Sequence, residues 1–222
     1  MSSRSSAPRA ILDAQREHWA DAFAAQAAMY GTGPSEAGRA AIEAFLDEGC
    51  TRVVELGAGQ GRDTLALLRA GFEVEALDYA SEALAKMASS AGPELGPRLH
   101  TIVHDVRQPL PLPGASVDAC YSHMLFTMAL TTRELEALAA EVHRVLRPGG
   151  LCVYTVRHTE DPQYGMGVAR GDGLFENGGF IVHFFDHDLV KRLARGFTLL
   201  GVEAFEEGGL PRRLWRVSMR RK

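Results

Sequence analysis

Short apolar runs alternate along this chain with longer stretches whose apolar residues recur every three or four positions. The runs predict strands at 52–56, 73–78, 98–104, 117–122 and 151–157, and the recurrent stretches predict helices at 61–70, 81–90 and 132–146. Strand and helix in alternation mean a parallel sheet, because parallel neighbours are joined by a crossover. In the third of these helices Leu135, Leu138, Val142 and Val145 keep helical spacing, Thr131 and Glu134 form a capping box, and Pro148-Gly149-Gly150 closes the element.

Two further helices precede the sheet and form an N-terminal appendage. Ile11 to Tyr30 carries Leu12, Trp19, Phe23 and Ala27 on one face and ends at GTGPS, residues 31–35. Ser35 is placed to cap the next helix, which is expected to bury Ile42, Phe45 and Leu46 and to stop at Gly49. Beyond the fifth strand, residues 158–180 hold Gly165, Gly167, Gly171, Gly173, Gly178 and Gly179 with no sustained period. An insert of that kind is expected to be structureless, either a functional lid or a surface loop. A helix at 186–195 then leads to strands at 197–205 and 213–219, joined by EEGGLP as a closing hairpin.

At 222 residues the chain suits one domain. Its net charge of −4 gives no global pull toward nucleic acid or anionic lipid, although Arg212, Arg213, Arg216, Arg220, Arg221 and Lys222 crowd the last eleven residues, as the rim of an edge hairpin. Cys50, Cys120 and Cys152 cannot all pair, and the last two sit in apolar runs where a thiol acts as a small hydrophobe, which fits a reducing cytoplasm. The start has no apolar core of signal-peptide length, and no run approaches the roughly 18 apolar residues of a membrane span. No membrane and no nucleic-acid partner is expected.

The segment VVELGAGQGRD, residues 53–63, carries the most chemistry. A strand breaks into Gly57, Ala58, Gly59, Gln60 and Gly61 and then opens a helix, so a ligand can approach bare backbone. Glu55 stands two residues before the first glycine, and Asp78 ends the second strand about 20 residues on, as in ribose-binding α/β units. The spacing is G-x-G-x-G, whereas a dinucleotide pyrophosphate prefers G-x-G-x-x-G; an acid at position 55 repels a pyrophosphate and welcomes an ammonium. A nucleoside-like ligand is therefore expected.

ELGAGQGRD, LDYA, HDVRQPLPLPGASVDACYSH and RVLRPGGLCVYTVR, in order over about residues 50–157, resemble the successive motifs of the class I S-adenosylmethionine-dependent methyltransferases. The GRD ending, the N-terminal aromatic helix and EEGGLPRRLWRV look closest to the small tellurite-resistance and thiopurine methyltransferase type. The resemblance implies a doubly wound, mostly parallel seven-stranded Rossmann-like sheet with a C-terminal antiparallel hairpin. It implies one domain, with a helical cap at 1–50, a cofactor-binding core at 51–157, a lid and acceptor insert at 158–185, and a C-terminal helix and hairpin at 186–222. It places Gly57, Ala58, Gly59 and Gly61 against the methionine and ribose of S-adenosylmethionine, Glu55 on the amino group, Asp78 on the ribose hydroxyls and Tyr79 on the adenine face. Asp105 would accept from the exocyclic amine and Val106 offer its N–H, although an Asp before a turn can also simply cap it. Asp63 takes an indirect role supporting the loop, while Trp19 and Phe23 are read as packing.

Tyr30 and Ser35 are candidates to cover the methionine end, and Ser122 and His123, at the end of the fourth strand, to face the reacting atoms. His123 and His158 are the candidate bases; His123 is weighed against a histidine that merely satisfies a strand end, and His158, which ends the fifth strand and starts the insert, is the better candidate. The D/N-P-P-Y/F motif of nucleic-acid and protein amide methyltransferases is missing, so the acceptor is expected to be a small molecule. The pairs His100/His104 and His183/His187 have a four-residue gap but no convincing third ligand, so no metal is expected. Two rivals stand beside a methyltransferase: a nicotinamide oxidoreductase, and a cofactor-binding protein without turnover.

Overall fold

The computed structural model describes residues 9–25, 31, 33–208 and 212–222, the side chains of 16, 20 and 23–25 excepted. Helices α1 (Arg9–Ala25) and α2 (Glu36–Asp47) come first. Then follow β1 (Arg52–Leu56), α3 (Arg62–Arg69), β2 (Glu73–Asp78), α4 (Ser81–Leu95), β3 (Leu99–Val103), β4 (Val117–Ser122), α5 (Thr132–Val145) and β5 (Leu146–Arg157). A small antiparallel sheet, β6 (Val168–Gly171), β7 (Leu174–Asn177) and β8 (Phe180–His183), precedes α6 (His187–Leu193), β9 (Phe197–Glu207) and β10 (Arg212–Arg221).

The large sheet has seven strands in the order β3-β2-β1-β4-β5-β10-β9. β1 to β5 pair in parallel, and β10 runs antiparallel to both β5 and β9. Side chains alternate across it, so neighbours such as Val53 and Val54 enter different cores. On one face Val53, Val74 and Tyr121 pack with Phe45 of α2, Leu67 of α3 and Met87 of α4; on the other, Val54, Cys120 and Tyr154 pack with Leu135 and Val142 of α5 and Leu189 of α6. This is the doubly wound α/β sheet expected, with its C-terminal antiparallel hairpin. The order reverses between β1 and β4, which opens a crevice at their carboxyl ends.

Local chemistry explains most boundaries. Ser35 accepts from Gly38 N–H at the start of α2, and Thr131 and Glu134 form the complete capping box of α5. The sequence ends the fourth helix at 90, whereas α4 continues across a kink at Gly92, next to Pro93, to Leu95. Leu46, expected in the core, is 51% exposed, because α2 buries Ala37, Ala41 and Phe45 at a four-residue spacing that turns Leu46 outward.

The insert is not structureless. Asp172-Gly173 and Gly178-Gly179 each take positive φ at both positions, the two-residue turn that suits a twisted hairpin. Strands of four residues are too short to display a period, which is why the pattern hides them. The meander props α1: Leu174 and Ile181 bury Leu12, Gln15 donates to Gly179 O at 2.8 Å and accepts from Ile181 N–H at 3.0 Å, and Phe180 meets the rings of His18 and Trp19. Among the described residues, no helix is long and apolar enough to cross a membrane.

Candidate active site

The crevice is bordered by the glycine loop after β1. Gly57, Gly59 and Gly61 have φ of +75°, +53° and +83°. A Cβ on Gly57 would lie 2.9 Å from Leu125 Cβ, and one on Gly61 would collide with Met87. Four of the loop N–H groups are spent inside the protein: Gly57 and Ala58 donate to Leu77 O, Gly59 to Asp78 Oδ2 at 2.8 Å and Gly61 to Ala58 O. A pyrophosphate needs those donors, so their occupation speaks against the nicotinamide reading.

Three buried carboxylates surround this loop. Glu55 accepts one bond, from the Thr64 hydroxyl at 2.5 Å, and burial, reinforced by the charge of Asp63, pushes its carboxyl up to about 8. Asp78 accepts from Ala80 N–H at 2.8 Å as well as from Gly59; burial raises its carboxyl above the ordinary range against the pull of these bonds. Asp63 accepts from Ser35 N–H (2.7 Å), the Ser35 hydroxyl (2.8 Å) and the Tyr121 hydroxyl (2.9 Å). Ser35 is 3% exposed and pins Asp63 while capping α2. Gly38 belongs to the same knot, since a Cβ there would sit 2.6 Å from Asp63 Oδ1.

A pocket opens between β2, β3 and the segment after β4. Tyr79 follows β2; Asp105, Val106 and Arg107 follow β3; Leu125, Met128, Ala129 and Leu130 come from the turn after β4. Its outer wall is α1, through Leu12, Gln15 and Trp19. Trp19, read as packing from the sequence, lines this pocket, and no local signal could have put it there because the meander sets where α1 lies. Asp105 is clasped by Arg107, whose Nη1 reaches Asp13 of α1 at 2.5 Å. Burial opposes the Asp105 charge, but the Arg107 bonds outweigh it and hold the carboxyl below its usual range.

His123 lies just past β4 with both ring nitrogens engaged: Nδ1 with the Thr155 hydroxyl at 2.9 Å and Nε2 with Glu207 Oε2 at 3.0 Å. Glu207 also pairs with Arg62 at 3.3 Å, and burial of its carboxylate is outweighed by the bonds to His123 and Arg62, so its carboxyl lies below the usual value. Sequence reasoning did not foresee Glu207 beside His123. Two further candidates lie inward. Ser122 is fully buried and donates to Leu56 O at 3.1 Å, tying β4 to β1. His158 is 2% exposed and stacked flat on Trp215 at 4.5 Å, with Nδ1 accepting from Glu160 N–H. Tyr30 lies outside the described residues.

The four-residue histidine pairs do not converge: His183 Nδ1 binds Leu130 O, His187 stacks on Trp215, and His104 turns to Gln108 O. His100 instead meets Glu73 and Glu75 at the far end of the sheet, where Arg52 already neutralises Glu75.

A family model described as a methyltransferase domain matches residues 53–150. Malonyl-[acyl-carrier protein] O-methyltransferase of Serratia marcescens is 31% identical over 129 residues, 57% of this chain, and the chain covers 42% of that protein's length. The 1,6-didemethyltoxoflavin-N1-methyltransferase of Burkholderia thailandensis, solved with 1,6-didemethyltoxoflavin and S-adenosylhomocysteine bound, superposes with a TM-score of 0.78 at 20% identity over 100% of this chain and 93% of its own. TehB from Haemophilus influenzae superposes with a TM-score of 0.67 at 15% identity, over 92% of this chain and 67% of its own. The fold is that of the class I S-adenosylmethionine-dependent methyltransferases, and residues 53–150 match the family model of a methyltransferase domain.

Proposed function

We propose that this chain transfers the methyl group of S-adenosylmethionine to a small-molecule acceptor. The observation that carries the reading is the glycine loop, four of whose N–H groups are satisfied internally while Glu55 and Asp78 present buried carboxylates beside it. Such a site offers few free N–H donors to a phosphate and fits a ligand bearing an ammonium at one end and paired hydroxyls in the middle. Glu55, with a single bonded partner, has acceptor capacity left for the amino group; Asp78 would take the ribose, and Tyr79 and Val106 would flank the purine.

When bound, S-adenosylmethionine would supply a sulfonium methyl group; a bond from the acceptor heteroatom to that methyl would form as the sulfur–methyl bond breaks and S-adenosylhomocysteine leaves. The protein's part is to align the two and exclude water. Because both nitrogens of His123 are engaged, the arrangement favours acceptors that arrive with a free lone pair, such as a thiolate, a chalcogen oxyanion or a neutral amine. One relative is named for an O-methylation on an acyl-carrier protein and one neighbour for N1-methylation of 1,6-didemethyltoxoflavin; the second supports a small acceptor. Cys120 and Cys152 are register partners on the parallel strands β4 and β5 and remain free thiols, which supports a reducing, cytoplasmic setting.

The test is calorimetric titration with S-adenosylhomocysteine and NAD, followed by a screen of thiols, tellurite, selenite, phenols and amines for S-adenosylhomocysteine production. Binding of S-adenosylhomocysteine alone and turnover of one class is the expected result. Binding of NAD would overturn the reading, and binding without any turnover would leave a cofactor-binding protein.

A further inference from the structure

The carboxyl end of β5 holds a buried guanidinium with one arm to spare. Arg157 lies two residues beyond Thr155 and so on the same face of the strand, about 6.6 Å further toward the end of the sheet where ligands of such folds sit. The Thr155 hydroxyl meets His123 Nδ1 at 2.9 Å, so this face borders the side of the crevice that His123 closes. The Arg157 backbone is clamped from both sides: its N–H donates to Thr127 Oγ1 at 3.3 Å, and Phe185 N–H donates to its carbonyl at 2.9 Å. Two of its side-chain nitrogens are spent on Asp161, Nε on Oδ2 at 3.0 Å and Nη2 on Oδ1, and Asp161 accepts in turn from Gln163 N–H and Arg213 N–H, each at 2.8 Å. The side chain is 6% exposed, yet Nη1 bonds to none of the described residues and is not sealed from solvent. Both hydrogens of that nitrogen remain to be met. An aromatic wall stands beside it: Arg157 Cζ lies 5.0 Å over the Phe184 ring, which the rings of Tyr164 and Phe175 meet edge-on at 5.6 Å and 6.0 Å. Tyr164 and Met166, large and apolar, are exposed on this insert.

We propose that Arg157 sets the acceptor class: Nη1 donates to a neutral carbonyl oxygen of a small flat molecule whose ring covers Tyr164 and Met166. The proposal rests on the methyltransferase reading above and deepens it. Charge decides for a carbonyl over an anion. Asp161 already neutralises the guanidinium, and a carboxylate or oxyanion at Nη1 would make one buried cation serve two anions. A carbonyl needs only a donor, and a buried donor left unmet is what a site built around a hydrogen bond imposes on an analogue that lacks the oxygen. The aromatic wall favours a flat ring, which buries a large area without the ordering cost of a flexible chain. Because the Thr127 and Phe185 bonds fix the Arg157 backbone, the acceptor meets a donor already in place.

The experiment titrates the protein, saturated with S-adenosylhomocysteine, with three probes of one shape: 2-quinolone, which carries the carbonyl, quinoline, which lacks it, and quinoline-2-carboxylate, which is an anion. 2-Quinolone should bind about tenfold more tightly than either of the others, the worth of one hydrogen bond to a charged donor. Arg157→Met combined with Asp161→Asn removes both charges together, so no buried ion is stranded; 2-quinolone should fall to the affinity of quinoline while S-adenosylhomocysteine affinity stays within about twofold. Tyr164→Ala, at an exposed position, should weaken both neutral probes by about threefold and keep their ratio. Should the double variant not fold, the parent still decides: the Nη1 proton resonances of Arg157 should move with 2-quinolone and stay with quinoline. Equal binding of 2-quinolone and quinoline, binding of neither, tighter binding of the carboxylate, or a preference that survives loss of the guanidinium overturns the proposal. A parent that does not bind S-adenosylhomocysteine would instead overturn the cofactor reading, an outcome distinct from a bound cofactor beside probes that are not told apart.

Discussion

His123 Nε2 stands 3.0 Å from Glu207 Oε2, joining the end of β4 to the last residue of β9 across 84 positions of sequence. Thr155 fixes the other ring nitrogen, and because an ionised carboxylate only accepts, Nε2 carries the ring hydrogen that Glu207 receives. The pair therefore latches the C-terminal hairpin onto the crevice. His123→Ala and Glu207→Ala should each lower unfolding free energy in urea by about 1.5–3 kcal/mol, the worth of a charge-assisted bond. The double variant should lose little more than either single one. Additive losses would show that the two side chains stabilise the fold independently.

Asp78 holds the loop from both sides, accepting from Gly59 N–H and Ala80 N–H. Asp78→Ala strands two buried donors and removes the acceptor for the ribose hydroxyls, so S-adenosylhomocysteine affinity should fall by about a hundredfold or more. Calorimetry on a variant whose circular dichroism matches the parent checks it. Affinity within threefold of the parent would take Asp78 out of the site.

The fold was legible because burial dictates it. Strands sealed on both faces read as continuous apolar runs, and the helices over them keep one apolar stripe, so the order of elements from Arg52 to Arg157 follows from the pattern. The glycine loop and its flanking acids were legible for a related reason: backbone geometry demands glycine, and a strand end fixes where each acid stands. The burial of Ser35, Ser122 and His158 was not legible, because a polar residue near a crevice can spend its bonds inward, as Ser35 does on Asp63 and Ser122 on Leu56 O. Glu207 and Trp19 were invisible because hairpin closure and the meander bring them to the site, and both are long-range events with no local signature.

Gly61 tests the loop by steric means. It opens α3 with φ of +83° and lies against Met87, so Gly61→Ala combines a strained backbone with a collision in the core. Stability should fall by about 1–3 kcal/mol, together with S-adenosylhomocysteine affinity. Gly33→Ala, at a position with nothing within 4 Å, should change stability by less than about 0.5 kcal/mol. Similar thermal melting of the two variants would mean that the loop tolerates a side chain and that close backbone approach is not its purpose.

Glu55 gives the site a proton linkage. Its carboxyl is raised to about 8 by burial and by Asp63, so at neutral pH the unliganded protein holds it largely protonated. The folded value lies above the ordinary carboxylate value of 4.5, so Glu55 contributes stability that is complete below about 4.5 and is lost as pH climbs through about 8. An ammonium group bound beside it favours the ionised form and must expel the proton. Titrations of S-adenosylhomocysteine at pH 7 in phosphate and in Tris, buffers of different ionisation enthalpy, should therefore report close to one proton released per ligand. Affinity should rise by up to about tenfold per pH unit between 6 and 8. Glu55→Gln should abolish the release and flatten the pH dependence while the fold stays intact, because a neutral amide preserves the bond to Thr64. A parent protein that releases no proton on binding would place the ligand's amino group away from Glu55 and leave that carboxyl as a partner of Thr64 alone.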